Sequence, residues 1–116
     1  MEYQLETSEE FQIVKKRLYS EIKKLYKLLS QDHSPVYRRL IEKKIQLLGD
    51  TLETIHRNPG MKLYELCYMI EDRIDNEGRE IDEALTFVEK ENIYHSISAL
   101  EWIFGVVKAV LQKYKL

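Results

Sequence analysis

The sequence predicts an all-α fold, an antiparallel up-down four-helix bundle built as one domain over residues 1–116. Three observations predict it. Apolar residues recur at spacings of three and four along most of the chain, the period of a helix buried on one face. Turn signals are sparse and fall between those stripes, with prolines only at Pro35 and Pro59. No segment shows the alternation of a half-buried strand.

The first helix opens at Thr7-x-x-Glu10, which reads as a capping box. Its apolar face is Phe11, Val14, Leu18, Ile22, Leu25 and Leu29, and it should end within Ser30–Ser34. Ser34-Pro35 then reads as an N-cap followed by proline at the first helical position, where a missing N–H costs nothing. The second stripe is Ile41, Ile45, Leu48, Leu52 and Ile55, stopped by Asn58-Pro59-Gly60. A third helix from about Met61 carries Leu63, Leu66, Cys67, Ile70, Ile74, Ile81, Leu85 and Val88. Its phase survives Gly78, so one helix to about residue 90 is expected, with a break near Gly78 as the alternative because glycine favours a helix end. A strict heptad turns Glu77 toward the core; the other phase, which packs more easily, turns Gly78 inward.

The last helix is expected from Asn92. It has a heptad seam of Ile93, Ile97, Leu100, Phe104, Val107, Leu111 and Tyr114. Ala99, Trp102, Val106, Ala109 and Val110 add a second apolar face, so this helix is either central or covered by another chain. Gly105 and Ala109 would allow close helix approach, and a homodimer through this helix is one expectation.

Charge is segregated. Between Glu65 and Glu91 ten carboxylates face only Arg73, Arg79 and Lys90, inside a chain whose total is −2. A one-signed face selects partners. The single Cys67 excludes an internal disulfide and, on an apolar face, reads as an inert thiol. Met1–Glu10 lacks the apolar run of a signal peptide, so a reducing cytoplasm is the expected compartment. The apolar stretch Ala99–Leu111 is shorter than the roughly 20 residues that span a bilayer, so no membrane partner is expected.

Chemical motifs are weak. Glu53-x-x-His56 has the spacing of di-iron bundles, but no second such pair exists. In an up-down bundle His33 and His95 share one end while His56 lies at the other. His95 lacks the lysine three residues on that histidine phosphotransfer domains keep, since Ser98 stands there. No arginine precedes a histidine at the spacing of helical ribonucleases. Asp72/Asp75, Glu77/Glu80 and Glu80/Glu83 are paired carboxylates of the kind that hold magnesium in helical nucleotide pyrophosphatases, but Glu42, Asp50 and Glu53 opposite them are scattered. Lys16, Lys23 and Lys27 share a face with Tyr19 and Tyr26, and with Arg38 and Arg39 could contact a phosphate backbone. Complementarity with the chain's own acidic helix, or mere solubility, is the simpler use of that basic face.

The leading expectation is therefore a non-enzymatic, cytoplasmic protein-binding module of inhibitor, immunity or adaptor type, without metal or cofactor. Its contact residues would be Glu71, Asp72, Asp75, Glu80, Asp82, Glu83 and Trp102. The alternatives are a metal-dependent enzyme acting on nucleotides through the third helix, and a weak nucleic-acid binder through the first two.

Overall fold

The computed structural model describes residues 8–84 and 86–114. Within them four helices form: α1 (Glu9–Leu29), α2 (Pro35–Arg57), α3 (Leu63–Glu83) and α4 (Phe87–Tyr114), with no strand. None is long and apolar enough to cross a membrane. The first two connections are residues 30–34 and 58–62, and Ala84 and Thr86 lie between α3 and α4.

The helix starts follow local chemistry. Thr7 lies outside the described residues, and α1 starts after Ser8, whose carbonyl accepts from Gln12 N at 3.0 Å. Ser34 Oγ accepts from the Tyr37 amide at 3.2 Å ahead of Pro35, as the sequence predicts. Glu65 reaches back to accept the Lys62 amide at 2.7 Å, opening α3.

The region after Gly78 departs from both expectations. Gly78 is an exposed residue inside a continuous α3, which stops at Glu83 because Ala84 turns extended (φ −68°, ψ 130°). The next helix starts at Phe87, not Asn92. Thr86 and Glu89 form the capping box that sets this start: Thr86 Oγ1 accepts the Glu89 amide at 3.0 Å, and Glu89 Oε1 accepts the Thr86 amide at 3.1 Å. Val88, expected in the core stripe, is thereby carried to the surface at 69% exposure, beside Phe87 at 81%. Leu85 lies outside the described residues. Along α3 the inward row is Ile70, Ile74, Glu77, Ile81 and Ala84, so Glu77 is the half-buried residue and Gly78 the exposed one.

The core centres on α4, which packs against α1, α2 and α3, while α1 and α2 also pack together. Leu18, Leu47, Leu48, Leu66, Leu100, Ile103, Val14 and Val107 are its most deeply buried side chains. This central position explains why α4 is apolar nearly all round. Ala99, Val106 and Val110 are buried within the chain and Trp102 is packed against the core; only Ala109 of that second face is exposed, beside Gly105. The apolar surplus that suggested a homodimer through the last helix is thus covered by the chain's own helices. By contrast α3 buries Leu63, Leu66 and Ile70 and nothing fully beyond them, so its acidic second half lies on the outside of the core.

Candidate functional site

Helix α3 carries eight carboxylates and two arginines. Glu71, Asp72, Asp75, Glu80, Asp82 and Glu83 are all exposed, and among the described residues none of them forms an ion pair. Four carboxylates on the other helices are held: Glu21 by Lys44 at 2.9 Å, Glu42 by Arg38 at 3.9 Å, Glu53 by Arg57, and Glu91 by Arg39. Arg79 donates instead to Asn76 Oδ1 on its own helix.

The spacing Tyr64, Tyr68, Glu71, Asp75, Asp82 runs by four, three, four and seven, so these side chains form one row along α3. Asp72 and Glu83 flank that row, and Met69 and Glu80 rise from the far side of the Asp72 flank, at about 100° of rotation per residue. Tyr64, Tyr68 and Met69 are 50%, 65% and 50% exposed, and the two tyrosine rings meet edge to face with centroids 6.2 Å apart. Tyr68, Met69, Glu71, Asp72 and Asp75 line a shallow groove of about 430 Å³. The carboxylates lie on one helix, as their spacing predicts, and the expected contact residues did not include these apolar neighbours. The i, i+4 pair Tyr64/Tyr68, in register with Glu71 and Asp75, was the signal available.

The structure does not bring Trp102 to this surface. Its ring lies under the Lys44 ammonium, 4.5 Å from the centroid, and Lys44 in turn bonds Glu21 of α1. Leu100, two residues earlier and hence about 200° around α4, is the residue that lines the α2–α3 groove with Leu66, Met69 and Ile70. Trp102 therefore packs on the α1–α2–α4 side, beneath the Lys44 cation.

On the basic side, Lys16, Lys23 and Lys27 are exposed with Tyr19 and Tyr26 at 59% and 57%. Arg38 and Arg39 are occupied within the chain. Arg38 donates to the Leu29 carbonyl at 3.1 Å, and Arg39 makes two bonds to Glu91 at 2.6 and 3.0 Å. No ion pair joins Lys16, Lys23 or Lys27 to α3, and no packing of the kind that joins the other helices links α1 to α3. The expectation that the basic face neutralises the chain's own acidic helix is therefore not met.

A second cleft, of about 440 Å³, lies between α2 and α4 and is lined by Arg39, Lys43, Gln46, Asn92 and His95 among others. Two of its charged groups pair internally: Arg39 holds the Glu91 carboxyl below the usual carboxylate range, and His95 Nδ1 lies 4.0 Å from the same Glu91. His33 donates to the Leu28 carbonyl at 2.6 Å and packs on Tyr37, so it closes the α1–α2 turn. Among the described residues no three His, Cys, Asp or Glu side chains are grouped as metal ligands. Burial pushes the half-buried Cys67 thiol upward, with the Glu71 charge adding to the effect and Lys108 opposing it. No known protein family, characterised protein or solved structure matches this chain.

Proposed function

We propose that the protein is a cytoplasmic interaction module, of inhibitor, immunity or adaptor type, that binds a basic surface of a protein partner through the outer face of α3. The observation that carries this reading is one row of unpaired carboxylates running directly into exposed Tyr64 and Tyr68, with exposed Met69 beside the Asp72 flank. The charges steer a basic partner over a distance set by salt, and the tyrosines and methionine supply area to bury on contact.

The charge placement also opposes the stability of the helix. Glu80, Asp82 and Glu83 occupy the end of α3, where no basic residue stands. A helix C-terminus favours cations, each worth about 0.3–1 kcal/mol at the surface. Carboxylates kept there against the local field fit a binding role better than a structural one.

The scaffold in this reading is an antiparallel up-down bundle. Short connections favour it, as do two cross-links. Arg39 near the start of α2 bonds Glu91 near the start of α4, and Tyr114 at the end of α4 donates to Glu9 at the start of α1 at 3.2 Å. The test is reversal of Asp72, Asp75, Glu80 and Asp82 to lysine. A partner captured by the wild type from its native cell extract should be lost by the variant, and the purified pair should weaken with salt. Equal binding by both proteins would overturn the reading.

A further inference from the structure

The α1 face that fails to meet the chain's own acidic helix is complementary to it in three respects. In sign, α1 carries six cations against three carboxylates, and α3 eight carboxylates against two cations. In layout, Lys16, Tyr19, Lys23, Tyr26 and Lys27 make a stripe of lysines beside tyrosines, while Tyr64, Tyr68, Glu71 and Asp75 make a row of tyrosines leading into carboxylates. In length, the two stripes are about 16 Å at 1.5 Å per residue. Both are exposed, and the three lysines, like Glu71, Asp72, Asp75 and Asp82, have no ion-pair partner among the described residues. Among the described residues no ion pair joins these two faces, and α1 and α3 lack the extensive packing that joins each of them to α4, so the two faces do not meet within one molecule.

We infer that the basic α1 face of one copy docks on the acidic α3 face of a second copy, head to tail. This deepens the reading above, because it rests on α3 as the binding face and names a second copy as a partner of the required basic chemistry. A contact between two different patches leaves one free α1 face and one free α3 face on every dimer, so association continues to chains or closes into rings. Exposed ion pairs are individually weak and strongly screened, so the assembly forms at high protein concentration and low salt.

The experiment is sedimentation of the full chain with two neutralised variants, Lys16→Gln/Lys23→Gln/Lys27→Gln and Glu71→Gln/Asp72→Asn/Asp75→Asn. Each is first shown by circular dichroism to keep wild-type helicity. At about 0.01 M salt, where the screening length is ~30 Å, the wild-type mass should climb with concentration past twice 13.9 kDa. It should fall back to one chain at about 1 M salt, where that length is ~3 Å. Each variant alone should stay a single chain. Mixed in equal amounts they should stop at two chains, because one keeps only its α1 face and the other only its α3 face. A wild type that stays single at low salt overturns the inference, as does association that survives in either variant. A wild type that stays single yet shifts a single-stranded oligonucleotide through Lys16, Lys23 and Lys27 would overturn it too, and would give the α1 face to nucleic acid. These failures leave the α3 reading standing if the α3 variant still loses a captured partner that the α1 variant retains.

Discussion

Arg39 and Glu91, 52 positions apart in sequence, meet as a two-bond pair, with Arg39 Nε and Nη2 donating to the two oxygens of one carboxylate. This geometry fixes the start of α2 against the start of α4. The hydrogen bond from Arg39, with the charges of Arg39 and His95, lowers the Glu91 carboxyl against the opposing effect of desolvation. A depressed carboxylate contributes stability above its unfolded value and loses it as pH falls through the folded one. Glu91→Gln should therefore melt below the wild type at about pH 6, and the gap should shrink as pH falls below the usual carboxylate range. Thermal melts across that range check it; a gap that is constant with pH would assign the pair no electrostatic role.

Gly78 is exposed inside α3, and a Cβ built on it meets nothing within 4 Å. Gly78→Ala should stabilise the protein by up to about 1 kcal/mol, since alanine is the better helix residue by that amount. Denaturant unfolding measures it. Destabilisation would mean that the helix is broken there.

Ile103 sits fully buried on the helix that touches the other three. Ile103→Ala should cost about 2–5 kcal/mol, whereas Tyr94→Ala, on an exposed face of the same helix, should change stability by no more than about 0.5 kcal/mol. Comparable losses at both positions would contradict a central α4.

The last turns of α3 give the opposite sign. Neutralising Glu80, Asp82 and Glu83 together removes carboxylates that oppose the helix field and bond to nothing among the described residues. The variant should melt at or above the wild-type temperature in low salt and bind a basic partner more weakly. A lower melting temperature would show that these side chains stabilise the fold.

Much of this architecture was legible in the sequence because it is local. The stripes of α1 and α2 and the Ser34-Pro35 start follow from helical spacing and from one cap. The α3–α4 junction was misjudged because apolar phase continued from Ile81 to Val88 and outweighed Thr86-x-x-Glu89, a cap that was present in the sequence. The choice between Glu77 and Gly78 turns on which way α3 rotates against α4, which one helix cannot say of itself. The Arg39–Glu91 pair and the Lys44–Trp102 contact join residues dozens of positions apart, beyond any periodicity. For the same reason the sequence counted Arg39 as a free cation and Trp102 as a free contact. The acidic face was readable as charge, and its border of Tyr64, Tyr68 and Met69 became apparent once exposure was known.

In the function proposed above, the carboxylates of α3 select the partner. The most direct test is parallel capture from native cell extract by the wild type and by Asp72→Lys/Asp75→Lys/Glu80→Lys/Asp82→Lys, both verified as folded by melting. The wild type should hold a basic protein that is absent from the variant and that salt releases. The same proteins retained equally by both baits would contradict that selection.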